Sequence, residues 1–178
     1  MNFCAECGST VSLQIPENDD RSRYVCTQCH AIHYQNPKIV VGTIPALGDK
    51  VLLCKRAIEP RKGFWTVPAG FMENGETTQA GAERETWEEA QAKVIDTHLY
   101  RLFDLPTINQ LYIFYRCQLE GEYGAGPESL EVKLCSQEEI PWSQIAFPVV
   151  EEALREYFTD RDKGEFPIRI SKGLSFVK

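Results

Sequence analysis

A chain of 178 residues that is 43% apolar and 25% charged has material for one full core and a small appendage, which excludes a wholly disordered chain and two full-sized domains. Its formal net charge of -7 excludes a broadly basic surface, so extended contact with nucleic acid or an anionic membrane is not expected. The start "MNFCAECG" lacks a basic leader and an apolar core, and no apolar run reaches membrane-spanning length, so the sequence reads as cytosolic.

The first element is set by cysteine. Cys4-x-x-Cys7 and Cys26-x-x-Cys29 are two equivalent pairs, the spacing of two knuckles that present four thiolates to one tetrahedral Zn²⁺. Two disulfides are the rival reading and conflict with a reducing compartment. A redox Cys-x-x-Cys is another, and it normally comes singly beside a strand-helix unit. Gly8 gives the first knuckle a permissive backbone, whereas His30 follows the second, where a tighter or strained turn is expected. His30 and His33 are spare ligand candidates, but four thiolates already close a zinc site, which leaves both imidazoles solvated or bonded to backbone. Between the pairs, "STVSLQIPENDDRSRYVC" alternates apolar and polar residues around a turn and reads as a hairpin. So small a piece depends on zinc for most of its folding free energy. Its Arg21 and Arg23 are offset by Glu17, Asp19 and Asp20, a poor surface for phosphate. Asn36-Pro37 breaks the pattern, so residues 1–36 are set apart from 37–178.

"KIVVGTIPAL" and "KVLLCKRA" then read as strands joined by a Gly48-Asp49 turn, and "FWTVPAGF" as a third extended piece. A helix is expected from about Thr78 to Lys93, with Thr77 or Thr78 as its N-cap. "LYRLFDLP", "LYIFYRCQLE" and "LEVKLCS" read as strands and "VVEEALREYFTD" as a second helix. Cys54, Cys117 and Cys135 fall in the strands as small core residues. "GEYGAGPES" reads as a flexible loop, and "FPIRISKGLSFVK" as a last strand or a frayed end. The order of elements gives an α/β or α+β domain with a mixed sheet between helices.

The first helix carries the chemistry. With residues about 100° apart around the axis, Glu85, Glu88 and Glu89 share one face, with Gly81 and Ala92 beside them. Ala80, Trp87, Ala90 and Val94 fall opposite, as a core stripe would. A solvated acidic face is the plain alternative. Against it, Arg84 is the one basic residue spaced to pair along that face, and Gly81 weakens the helix, as though something must approach closely there. Clustered oxygen ligands suit Mg²⁺ or Mn²⁺, and magnesium commonly bridges carboxylates to phosphate, which points to a di- or polyphosphate substrate.

Gly70, Glu76 and the run Arg84-Glu85-Thr86-Trp87-Glu88-Glu89 resemble the Nudix box, the signature of hydrolases of nucleoside diphosphates linked to another moiety. Three positions depart from it: Thr86 and Ala92 replace aliphatics and Gln91 replaces a glycine, so altered packing and a less sharp helix end are expected. The resemblance implies a Nudix α/β/α sandwich after a zinc ribbon. It implies catalytic metal, Mg²⁺ or Mn²⁺, on Glu85, Glu88, Glu89 and the Gly70 carbonyl, with Arg84 holding Glu85 and Glu76 bracing the loop. Structural Zn²⁺ is implied on Cys4, Cys7, Cys26 and Cys29. "PESLEVKLC" resembles a segment that completes the metal site, here through Glu131 with Glu128 as fallback. The general base is one of the box glutamates or a glutamate from a later loop. Arg56 and Glu73 are candidates for contact with the substrate diphosphate or metal-bound waters. Phe64 and Trp65 are candidates to stack on a purine or flavin ring, although a strand tryptophan more often belongs to the core. Trp87 is assigned to the core.

"YQNPKIVVG" and "LLCKRAIEPRKGFWTVPAGFMENGE" resemble plant-type FAD or ADP-ribose diphosphatases, which implies products AMP with FMN or ribose 5-phosphate. NADH pyrophosphatase is the alternative, although the Ser-Gln-Pro-Trp-Pro-Phe-Pro run of that group is missing. A nucleotide sensor without catalysis is the alternative from another class. Expected partners are a small nucleotide substrate, with neither membrane nor nucleic acid; a homodimer is left open.

Overall fold

The computed structural model describes residues 1–172. The chain divides into a compact unit Met1–Pro37 and a second that begins at Lys38.

In the first unit β1 (Val11–Gln14), β2 (Arg23–Cys26) and β3 (Ile32–His33) form an antiparallel sheet in that order. The hairpin pairs Val11 with Cys26 and Gln14 with Arg23, as the alternation anticipated. Gly8 and His30 both take left-handed backbone after their knuckles, at φ 75° and 59°. Glycine does this without cost; His30 carries the strain expected of it.

The second unit runs β4 (Lys38–Leu47), β5 (Lys50–Arg56), β6 (Trp65–Thr66), β7 (Ala69–Phe71), α1 (Thr78–Ala90), β8 (Lys93–Leu105), β9 (Gln110–Glu120), β10 (Ser129–Cys135), α2 (Pro148–Lys163) and β11 (Arg169–Lys172). The stretch read as one extended piece is therefore two short strands. Of the final segment, Arg169–Lys172 is a strand and "GLSFVK" lies outside the described residues. The mixed sheet has the order β10-β5-β4-β9-β8-β11, with β6 on β5 and β7 on β4. β4 is parallel to β9 and β11 to β8.

Side chains alternate between two covered faces, as apolar β-branched strands require. Ile44, Val51, Leu53, Phe103 and Phe114 pack with Val150, Leu154 and Phe158 of α2. Val41, Ile113 and Tyr115 pack with Ala82 of α1, and Leu52 and Cys54 with Ala90. The sheet thus lies between the helices, the expected α/β/α sandwich. Cys54, Cys117 and Cys135 are buried, and burial raises all three thiols, Cys117 to about 12. The β4–β5 hairpin pairs at Ala46–Val51 and Leu47–Lys50, and then β6 and β7 enter between the strands. Gly42 permits this: a methyl group there would stand 2.5 Å from Cβ of Ala69.

Four expectations are corrected. α1 ends at Ala90, not Lys93, because Gln91 turns left-handed (φ 47°) and donates its N–H to the Trp87 carbonyl. Its buried side is Gly81, Ala82, Thr86, Glu89 and Ala90; Ala80 and Trp87 are exposed, Trp87 at 53%. Helical periodicity fixes which residues share a face and leaves open which face turns inward. Gly81 makes room for Glu76 Oε1 and Val41 rather than for a ligand. The segment "GEYGAGPES" is fixed on the helix end, with Gly124 N donating to Ala90 O at 2.8 Å and Gly126 N to Glu89 O at 3.0 Å. Those carbonyls have no partner within the helix, so the loop completes it.

Candidate active site

α1 begins at Thr77, whose hydroxyl accepts from Ala80 N at 3.1 Å. Two turns on, Arg84 gathers the acidic groups that would otherwise repel. Its Nε and one terminal nitrogen donate to both oxygens of Glu76, at 3.0 and 2.8 Å. Its other terminal nitrogen donates to Glu85 and Glu88, each at 2.8 Å, and a further bond reaches the Phe71 carbonyl at 3.2 Å. Glu76 in turn accepts from Glu73 N at 2.7 Å, so one guanidinium ties the loop to the helix. The Arg84 hydrogen bonds, with the Glu73 N–H second, bring the Glu76 carboxyl down to about 2.

Glu89 is 5% exposed and accepts from Ala69 N at 3.1 Å. Burial pushes its carboxyl up to about 8, the Ala69 N–H opposing and the Glu85 charge adding to it. Burial also raises Glu85, against the pull of Arg84. Gly70 lies on β7 opposite Val41, and a methyl group there would land on the Glu85 carboxylate. Only glycine lets the β7 backbone approach these carboxylates so closely.

Glu85, Glu88, Glu89, Gly70, Arg84, Glu73 and Arg56 all line one cleft of about 1190 Å³. The structure therefore brings together every expected residue of the oxygen site except Glu131. A bulge between Ser129 and Glu131 shifts the β10 register, and Glu131 faces Lys55, its carboxylate 3.8 Å from that ammonium. Glu128, on the near side of the bulge, lines the cleft, and its charge acts on both Glu85 and Glu89. Of the two candidate loop carboxylates, Glu128 and not Glu131 lines the cleft.

Arg56 enters the cleft from the end of β5, with Nε donating to Pro60 O at 2.8 Å and its guanidinium over the Phe147 ring at 5.2 Å. Trp65 is buried in the core, and Phe64 lies under Arg61 at 5.5 Å. The aromatic side chains in the cleft are instead Phe71, Trp87, Tyr112 and Phe147. Apart from Phe71, in the segment before the helix, none of these carried a signal: helical spacing sets Trp87 opposite the acidic arc, and Tyr112 and Phe147 come from distant strands and loops.

The donor set is three carboxylates beside a glycine backbone, all oxygen, in a cleft with space for solvent. This fits Mg²⁺ or Mn²⁺. In the first unit the Cys4, Cys7, Cys26 and Cys29 sulfurs lie within 4.8 Å of one another, and they are free thiols. Cys4 and Cys29 stand 3.7 Å apart and Cys7 and Cys26 3.5 Å, close to the roughly 3.8 Å edge of a tetrahedron with Zn–S bonds near 2.3 Å. The Ser9 hydrogen bonds bring Cys7 down to about 6 and the Cys29 and Gln28 N–H groups lower Cys26, which favours the thiolate at these two, while Cys29, despite the Ala31 N–H, is pushed up to about 12 by the neighbouring Cys26 and Cys7 sulfurs. These sulfurs fit Zn²⁺. His33 Nε2 lies 3.2 Å from Cys4 Sγ, outside the four-sulfur set.

A sequence profile described as "NUDIX domain" matches residues 36–157, and one described as "Nudix N-terminal" matches residues 2–35. The chain belongs to the Nudix family. A NUDIX hydrolase of known structure from Nitrosomonas europaea is 50% identical, with a TM-score of 0.93 over 97% of this chain and 98% of that one. The ADP-ribose pyrophosphatase of Methanocaldococcus jannaschii is 28% identical over 129 residues, 70% of this chain and 75% of the relative. The NAD-capped RNA hydrolase NudC of Vibrio vulnificus is 32% identical over 102 residues, 56% of this chain and 36% of the relative. The Nudix chain thus spans about a third of the length of the NudC proteins it matches. Among the described residues, no helix is long and apolar enough to cross a membrane.

Proposed function

We propose that this Nudix protein hydrolyses the diphosphate bond of a nucleoside diphosphate linked to another moiety, FAD or ADP-ribose, to give AMP with FMN or ribose 5-phosphate. The carrying observation is the convergence of Glu85, Glu88, Glu89, Gly70 and Arg84 in one cleft. Glu85, Glu88, Glu89 and the Gly70 carbonyl would hold Mg²⁺ or Mn²⁺, which would supply water activation and charge neutralisation on phosphate oxygens. Arg84 keeps Glu85 and Glu88 in place, and Arg56 supplies donors to the diphosphate across the cleft. Glu128 accepts a proton from the attacking water while the new oxygen–phosphorus bond forms and the bridging oxygen leaves with the other phosphate. The sulfurs of the first unit hold Zn²⁺ in a structural role.

The name of the M. jannaschii relative supports ADP-ribose and that of the NudC relatives a NAD-capped RNA, so the test has to include both. We therefore expect, from kcat/KM measured for FAD, ADP-ribose, NADH and NAD-capped RNA with each metal, that FAD or ADP-ribose ranks first. A first rank for NADH or the capped RNA would replace this reading, and no turnover of any of the four would leave a nucleotide sensor.

A further inference from the structure

Trp87 stands apart from the other two tryptophans. Trp65 is buried in the core, and Trp142 donates Nε1 to the Gln137 carbonyl beneath the Arg155 guanidinium, 4.1 Å from its ring. Trp87 is half exposed on the cleft wall, and among the described residues no aromatic ring or cation stacks on it. An unstacked indole on a cleft wall offers a flat apolar face and an N–H to whatever enters.

Beside the apolar group of Ile58, Pro60 and Phe147, two apolar stretches of the cleft lie toward opposite ends of α1. At one, Phe71 and Tyr112 flank Val40 in the sheet, with Ile108 beside them, and Arg84 fastens this end through the Phe71 carbonyl. At the other, Trp87 lies with Gln91 and Pro127 along the last turn of α1, about 10 Å along the axis from Arg84 to Gln91. The carboxylates stand between the ends. A diphosphate held there would send a group in each direction. ADP-ribose carries a planar ring on one side of its diphosphate and a dinucleotide carries one on both.

We propose that Trp87 is a specificity-determining residue, a stacking platform for the second planar ring of a dinucleotide, which makes FAD a better substrate than ADP-ribose. The inference rests on the reading of the cleft as a diphosphate site. Stacking on an aromatic side chain tolerates any heteroaromatic ring, so the platform selects for a flat ring rather than for one pattern of hydrogen bonds.

The test compares wild type, Trp87→Ala and Trp87→Phe with FAD and ADP-ribose in Mg²⁺. The expected result is an approximately tenfold fall in the FAD to ADP-ribose ratio of kcat/KM for Trp87→Ala, carried by KM for FAD, with most of it restored by phenylalanine. An unchanged ratio would overturn the proposal while leaving diphosphate hydrolysis intact. Binding of FMN without added Mg²⁺ or chelator, read by flavin fluorescence, examines the ring without hydrolysis: weaker binding to Trp87→Ala than to wild type supports the platform, and equal binding rejects it. Wild type that binds FMN through Trp87 but cleaves neither substrate would instead reject the reading of the cleft. The phenylalanine variant serves as the folded comparison in every arm.

Discussion

The two metal-fitted regions are built on opposite plans. In the first unit the buried apolar residues are Cys4, Val25 and Cys26, two of them prospective ligands, so little core remains if the sulfurs are not joined. The oxygen site sits on a strand and helix already fixed by the large core, and Arg84 and the Ala69 N–H hold its carboxylates in place. A soft ion makes the fold of the one region, while a finished fold makes room for hard ions in the other.

The sharpest way to break this contrast is to remove zinc with a strong chelator and follow amide hydrogen exchange. Residues 2–35 should lose all protection while β4, β5 and β9 keep theirs, since zinc binding in such motifs is worth on the order of 10 kcal/mol. Protection that survived in the ribbon would dissolve the distinction. Removal of Mg²⁺, by contrast, should abolish hydrolysis reversibly without moving the thermal midpoint of the second unit by more than a few degrees.

Next in size are Glu85→Gln, Glu88→Gln and Glu89→Gln. Each should lower kcat by roughly 10²–10³-fold, the scale of a lost electrostatic group in an active site. The thermal midpoint of metal-free protein should stay nearly level for Glu89→Gln, whose buried carboxyl is already largely neutral, and fall slightly for Glu85→Gln and Glu88→Gln, which weaken a charge-assisted bond to Arg84. Full activity in all three would show that the acidic face is ordinary surface.

A smaller effect concerns the clip at the end of the chain. Arg169, and with it Tyr100, lowers the Asp160 carboxyl. A depressed acid contributes stability above its unfolded pKa and loses it as pH falls through the folded one. The second unit should therefore weaken below the ordinary carboxylate range, and Asp160→Asn should flatten that part of a plot of thermal midpoint against pH. A parallel pair of curves would exclude the clip.

The smallest expected effect compares strain in both regions. Gln91→Gly should stabilise the second unit by about 1 kcal/mol by relieving left-handed backbone in a non-glycine residue. His30→Gly should act on zinc retention by a similar margin. A destabilised Gln91→Gly protein would mean that the side chain contributes more than its backbone costs.

The ligand sets were legible because both depend on spacing along the chain: two Cys-x-x-Cys pairs, and glutamates one turn apart. A mixed sheet between helices followed from the order of strand and helix segments, and the α/β/α sandwich from the resemblance of the glutamate box. Orientation was not legible. Trp87 looked like core because it falls opposite the glutamates, which were read on an open face, yet the helix turns part of that face inward and places Glu89 beside Ala69. Glu128 and Glu131 could not be separated because a single bulge decides which reaches the cleft. Arg101, fully buried on β8 and paired with Glu152 and Glu156 of α2, likewise left no trace in any local pattern.

The seating of Gly126 on the last carbonyls of α1 constrains how this scaffold can be diversified. A side chain at 126 would overlap Glu88 and Glu89 backbone, so the stretch from Gly124 to Ser129 has a fixed length and path. Grafted loops or insertions meant to reshape substrate choice belong before it, near Gly121, where the chain turns left-handed and a Cβ meets nothing. An insertion one residue later in the chain than Gly124 would carry Glu128 away from the cleft along with the graft.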